Sequence, residues 1–170
     1  MLQPENQSKK YQHLFTGIDS GQIKIPQFQR DFVWSKEQTA RLIDSIIKGF
    51  PIGTFVFWKT NEELRYFRNI GNAPLPDPPK GDVIFYVLDG QQRVTSLYAV
   101  QKGLRITKDG QEIDYKDISI NLTCDPDEDE EVVTVEPPPS DVAFISVHKL
   151  LNGSLVEFVK DCPSEELLER

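Results

Sequence analysis

Val83-Ile84-Phe85-Tyr86-Val87-Leu88-Asp89-Gly90-Gln91-Gln92-Arg93-Val94-Thr95-Ser96-Leu97-Tyr98-Ala99-Val100 is the stretch that decides the fold. Its first six residues are an almost unbroken apolar run, which predicts a strand buried at the centre of a sheet. Asp89-Gly90 makes a corner. A helix then runs from Gln91 or Gln92 to Lys102, with Val94, Leu97, Tyr98 and Gln101 on a common side and Gly103 as its terminator.

The corner also carries chemistry. Gly90 tolerates a sharp turn and lets a ligand approach the backbone, while the first N–H groups of the next helix face an incoming anion. Arg93 adds a fork of donors suited to phosphate oxygens, in a position where the helix dipole disfavours positive charge by a few tenths to about 1 kcal/mol. A bound anion would relieve that. Asp89 has three roles open to it: holding a divalent metal, orienting a water or accepting a proton. Gln91 and Gln92 offer neutral donors to phosphate or sugar, and Thr95 or Ser96 a hydroxyl. The competing reading has Asp89 capping the helix, both glutamines exposed and Arg93 paired with a distant carboxylate.

Upstream, Gln22 to Ile25 alternates as a brief strand that stops at Pro26, after a short helix or turn over Leu14 to Asp19. Arg30 follows between Phe28, Phe32 and Trp34, rings that can hold a charged group in place. It divides evenly between ligand contact and a structural salt bridge. Trp34 fits a core plug better than a stacking platform. Ser35-Lys36-Glu37-Gln38 has the spacing of a capping box. Leu42, Ile43, Ile46 and Ile47 then share one helical face up to Gly49. Thr54 to Trp58 reads as a strand, and the proline- and glycine-rich residues 69 to 81 read as a loop.

The later chain speaks less clearly. Asp117 to Cys124 and Val132 to Val135 alternate weakly as strands around an acidic tip, Asp125 to Glu131, and Pro137 to Pro139 stop the second of them. Ala143 to Val147 reads as a short strand, and Leu150 to Phe158 stays open between helix and irregular chain. Ser164 heads a helix with Glu165 and Glu166 in its first turn; its abrupt end predicts a longer protein with further domains. The expected division is a loose leader over 1–11, one domain over 12–160, and the start of a following helix over 161–170.

Composition narrows the class. The 170 residues are 38% hydrophobic, enough for one domain with a sizeable core. The formal net charge is −8, but residues 1 to 124 hold 16 Lys and Arg against 14 Asp and Glu, whereas residues 125 to 170 hold 3 against 13. A local basic site in the first part is compatible with that split, although the chain as a whole repels a polyanion. Two cysteines, Cys124 and Cys162, support neither a disulfide scaffold nor a zinc site. His13 and His148 lie in uninformative surroundings, and the acidic tip lacks EF-hand spacing. No apolar run reaches bilayer length and the polar N-terminus is no signal peptide, so a cytoplasmic protein without membrane contact is expected. There is no P-loop, HExxH, GxSxG or dinucleotide fingerprint.

Ile23 to Trp34 with its Phe28-Gln29-Arg30 element, Leu42-Ile43-Asp44-Ser45-Ile46, Gly49-Phe50-Pro51-Ile52-Gly53 and Val87 to Leu97 together resemble the domain of unknown function 262. That is the N-terminal domain of GmrS/GmrD type IV restriction enzymes and related phage-defence proteins. The ordered likeness is strongest over residues 12 to 102. It implies an α+β fold of the ParB/sulfiredoxin kind, a compact mixed sheet with packed helices. It further implies a nucleoside triphosphate (GTP, ATP or CTP) with Mg2+ at the strand-end corner. Gln29, Arg30, Gly90, Gln91, Gln92, Arg93 and Thr95 would bind it, and Asp89 and Arg93 would act in hydrolysis, Asp89 through the metal. Implied partners are a nuclease domain, C-terminal or separate and without a counterpart in this chain, and modified foreign DNA. The sequence leaves oligomeric state open, a homo-oligomer included. Two other functions remain alongside: a DNA-binding or ParB-like nuclease domain using the same corner, and a noncatalytic module that senses nucleotide during assembly.

Overall fold

The computed structural model describes residues 5, 7–29, 31–67, 69–70, 73–78, 81–108, 110–136 and 143–153. In chain order the elements are α1 (Tyr11–Asp19), β1 (Ile23–Lys24), α2 (Lys36–Ile47), β2 (Val56–Thr60), β3 (Asn69–Ile70), β4 (Ala73–Pro74), β5 (Ile84–Asp89) and α3 (Gln91–Lys102). There follow β6 (Arg105–Lys108), β7 (Gln111–Asp114), a single 3-10 turn (Tyr115–Asp117), β8 (Ser119–Asn121), β9 (Val133–Thr134), β10 (Phe144–Ser146) and α4 (Val147–Asn152). This is a mixed α+β architecture with packed helices, of the kind the ParB/sulfiredoxin resemblance implies.

The apolar run at residues 83 to 88 takes the central place expected of it. β5 lies between β1, which runs parallel to it, and β2, which runs antiparallel. Tyr86 and Val87 are fully covered, whereas Leu88 emerges toward solvent as the strand approaches its corner. A second small sheet has the order β10-β8-β9, antiparallel throughout, and the acidic residues 125 to 131 connect β8 to β9.

Helix α2 starts as its sequence dictates. The Ser35 hydroxyl accepts the Gln38 N–H at 3.2 Å and Gln38 Oε1 accepts the Ser35 N–H at 2.9 Å, which closes the capping box. At the other end Asp44 ties α2 to the second sheet: Oδ1 accepts the Val132 and Val133 N–H groups at 2.8 and 3.2 Å, and Oδ2 pairs with Lys48 at 2.7 Å.

Helix α3 departs from the amphipathic pattern. Nine of its twelve residues are buried, polar ones included, because β5 precedes it, α2 crosses it and α4 closes over its last turn. A helix covered on several sides shows no single apolar stripe. The Thr39 hydroxyl on α2 and the Ser96 hydroxyl on α3 are hydrogen-bonded at 3.0 Å, and His148 on α4 meets the Gln101 carbonyl through Nδ1 at 3.0 Å. Gly103 ends the helix at φ +59°.

Two hairpins differ from expectation. Residues 69 to 81, expected as a loop, contain the two-residue pair β3–β4, in which Pro74 sits opposite Asn69. A pair this short lets proline stand at a strand position. The β6–β7 hairpin was not anticipated, although Asp109-Gly110 is a strong hairpin turn signal and Gly110 takes φ +79°. The predicted proline stop at 137–139 and the helix start at 161–170 lie outside the described residues, as does Cys162.

Tyr115 is buried under Phe32, whose ring lies 6.2 Å away. Burial pushes its phenol up to about 12 from an ordinary value of 10.0, outweighing the lowering effect of the Thr39 hydroxyl. Burial, reinforced by the hydrogen bond to Asp19, also raises Tyr98. A phenol with a raised folded-state pKa favours the fold fully below pH 10, and that contribution is lost as pH climbs toward 12. Denaturant melts should therefore show stability falling over that window, with a shallower fall in Tyr115→Phe; an equal slope in wild type and variant would refute the assignment.

Candidate functional site

The chain leaves β5 through Gly90, which sits at the N-cap of α3 with φ +87°. A β carbon at Gly90 would stand 2.6 Å from Phe55 Cδ1, so both conformation and space demand glycine. Because Gly90 has no side chain, no side-chain acceptor caps the first turn of α3, and that turn opens toward a neighbouring cavity with its positive dipole end. The cap is thus Gly90 and not Asp89.

The cavity has a volume of about 290 Å³ and is walled by Gln29, Trp34 and all of Asp89 to Arg93. Gln29, Trp34, Gln92 and Arg93 are positioned by contacts that cross long stretches of chain. Gln29 donates through Nε2 to the Leu88 carbonyl at 3.0 Å, which ties the 27–34 loop to the end of β5. Gln92 is buried and grips the same loop. Its Nε2 donates to the Asp31 carbonyl at 3.0 Å, and its Oε1 accepts the Val33 and Trp34 N–H groups at 2.8 and 3.2 Å. One amide thereby satisfies three backbone groups and fixes the Trp34 ring at the cavity wall. Gln91 is also buried.

Arg93 is held as tightly. Its Nη1 donates to the Ile52 carbonyl, and its Nη2 donates to the Thr54 carbonyl at 2.9 Å and to Asp89 Oδ2 at 3.3 Å. The guanidinium also lies 5.1 Å from the centroid of the Phe55 ring. The expected conflict between Arg93 and the helix dipole is therefore relieved within the chain, by two carbonyls and a nearby carboxylate, instead of by a distant one. The guanidinium lies so close to the 52–54 loop that a β carbon at Gly53 would stand 2.7 Å from Nη1. Ile52, Gly53, Thr54 and Phe55 adjoin the corner without having been expected there: the sequence shows Ile52 and Gly53 only as part of the family likeness and Thr54 and Phe55 only as the start of a strand.

Asp89 is the open member of the group, its side chain 69% exposed against 17% for Arg93. Among the described residues no three His, Cys, Asp or Glu side chains gather as a metal cage. Asp89 fits the different pattern in which magnesium takes one or two carboxylates and completes its shell with phosphate and water. Thr95 is buried one turn further along and faces a second, smaller cavity; Ser96 points to Thr39 and belongs to helix packing. Arg30 lies outside the described residues. His13 is exposed on α1 and His148 is a packing joint. The acidic tip folds on itself, with Asp129 Oδ2 accepting the Asp125 N–H at 2.6 Å.

Fold and site together define an α+β domain in which a strand-end glycine corner meets two backbone segments, one held by Gln92 and one by Arg93, beside a polar cavity. The chain belongs to the family of the GmrSD restriction endonuclease N-terminal domain, which matches residues 11–159. It is also similar to the uncharacterized protein MJ0686 of Methanocaldococcus jannaschii, with 39% identity over 82 residues. The match takes in 46% of this chain and 14% of that protein, so the chain spans far less than two thirds of that relative. Among the described residues no helix is long and apolar enough to cross a membrane.

The grip of Gln92 on the 31–34 loop can be tested directly. Gln92→Leu leaves three backbone groups without their partner and should cost about 2 kcal/mol in urea unfolding. It should also shift the emission of Trp34 in a Trp58→Phe background. Unchanged stability and an unchanged spectrum would show that the loop holds itself.

Proposed function

We propose that this domain binds the phosphate chain of a nucleoside triphosphate, GTP, ATP or CTP, in the Asp89–Arg93 cavity and hydrolyses it with Mg2+. The reading is supported above all by one observation: all five residues of the corner wall a single cavity beside a helix start that lacks a side-chain cap. Backbone N–H groups at such a start suit phosphate oxygens, and Gly90 allows them close approach. Arg93 contributes positive charge while bracing the 52–54 loop. Asp89 is the residue that would hold magnesium, which when bound neutralises charge on the phosphate oxygens. The carboxylate is released for this role when its contact with Arg93 opens. Arg30 is proposed as the second cation at the same phosphate chain. Family membership supports placing this activity in a restriction or phage-defence protein. There it would regulate a nuclease domain, C-terminal or separate, that acts on modified foreign DNA.

The test is titration calorimetry of the full-length protein with GTP, ATP, CTP and inorganic tripolyphosphate, with and without magnesium, followed by product analysis. Magnesium-dependent binding and phosphate release are expected. Asp89→Asn should hold nucleotide within a few-fold and slow turnover about 100-fold, the scale of a lost group that organises the transition state. No binding of any phosphate compound would sink the proposal, and binding without turnover would leave a nucleotide sensor.

A further inference from the structure

A second cavity, of about 140 Å³, shares Gln91 with the first. The same two segments build both. Gln29 and Trp34 wall the first and Asp31 and Phe32 the second, while Gln91 stands in both and Thr95 in the second alone. Phe32, Phe67 and Ile70 give the smaller cavity aromatic and aliphatic sides; Asn69, Gln91 and Thr95 bring polar groups to it.

Thr95 is the informative residue. It is 1% exposed, and its hydroxyl has no hydrogen-bond partner among the described residues. A buried threonine on a helix ordinarily relieves itself on the carbonyl four residues back. Thr39 on α2 does so, donating to the Ser35 carbonyl at 3.1 Å, and Thr95 does not. The other such atom, Gln101 Oε1, sits at the far end of α3, away from either cavity. An unpaired buried hydroxyl destabilises a fold unless something else completes it.

We propose that the smaller cavity receives the six-membered ring of a nucleobase and that the Thr95 hydroxyl hydrogen-bonds its polar edge. This rests on the phosphate reading of the first cavity, because Gln91 makes the two cavities neighbours for one ligand. An apolar-sided cavity of about 150 Å³ is known to take up one benzene ring, so the size suits a single aromatic ring. Aromatic and aliphatic walls interrupted by the polar groups of Asp31, Asn69, Gln91 and Thr95 suit the faces and rim of such a ring. The six-membered ring is common to pyrimidines and purines, and the site would hold either by that part.

Calorimetry of the full-length protein with a nucleoside triphosphate and with inorganic tripolyphosphate separates the two cavities. Wild type should bind the nucleotide more tightly than tripolyphosphate. Thr95→Val should lower nucleotide affinity about tenfold, the scale of one lost hydrogen bond to a buried group, and leave tripolyphosphate affinity unchanged. Its melting temperature without ligand should hold or rise, since valine removes the unpaired hydroxyl. Thr95→Ser should keep the nucleotide preference. Equal affinity of wild type for nucleotide and tripolyphosphate would overturn the base subsite and leave the phosphate site standing. That comparison decides even if a variant fails to fold. An equal loss for both ligands in Thr95→Val would overturn it as well. Binding of neither ligand by wild type would overturn both proposals together.

Discussion

At Gly90 the backbone turns out of β5 into α3 with φ +87°, while the Phe55 ring packs where a side chain would otherwise begin. An ordinary residue would meet two obstacles there, the unfavourable left-handed conformation and the ring. The turn sends α3 in among α2 and α4 and keeps its first turn beside the end of β5. Asp89 and Arg93, one on each side of the glycine, are thereby brought to 3.3 Å. The order Asp-Gly-Gln-Gln-Arg is thus a geometric unit: the glycine sets the turn, the glutamines enter the interior and the charged residues meet at the rim.

The two charged or amide groups that look most like ligand contacts are also the groups that hold the cavity together. Gln92 takes three backbone groups from the 31–34 loop, and Arg93 takes two carbonyls from the 52–54 loop. Those loops are remote from the corner in sequence, and each would otherwise leave backbone polar groups without partners near the interior. Side chains whose rotamers are locked by such bonds make a preorganised wall. For Arg93 the consequence is a divided role. Three of its donor contacts face its own chain, so its charge reaches the cavity from a braced position, with limited freedom to follow a ligand.

How far the sequence foretells this depends on how local each interaction is. The capping box at Ser35 and the glycine stop at Gly103 involve neighbours within a turn, and the chain states them openly. β5 announces itself because a central strand must be apolar on both faces. The burial of Gln91 and Gln92 is not announced, since polar residues at a helix start ordinarily face water, and for Gln92 it is the remote 31–34 loop that draws the amide inward. The same holds for Ser96 and Gln101, whose partners lie on α2 and α4. The β6–β7 hairpin is a different case, for Asp109-Gly110 was visible in the sequence and the strands around it simply lack the alternating apolar pattern that draws notice.

The distribution of satisfied groups carries the last step. This interior pairs its polar atoms across long sequence distances: Thr39 with Ser96, Asp44 with Val132 and Val133, Gln92 with Asp31. Against that background the unpaired Thr95 hydroxyl stands out, because it is buried and makes no hydrogen bond to its own helix or to a neighbour among the described residues. It lies on the same helix as the corner, one turn beyond Gln91, against a cavity with apolar sides. A helix start fit for an anion and, one turn later, a buried donor fit for a ring edge give α3 two recognition elements on one rigid rod. A nucleotide has the matching parts, a charged chain and a flat heterocycle. Recognition of both ends by one helix would couple base selection to phosphate position without any movement of the sheet.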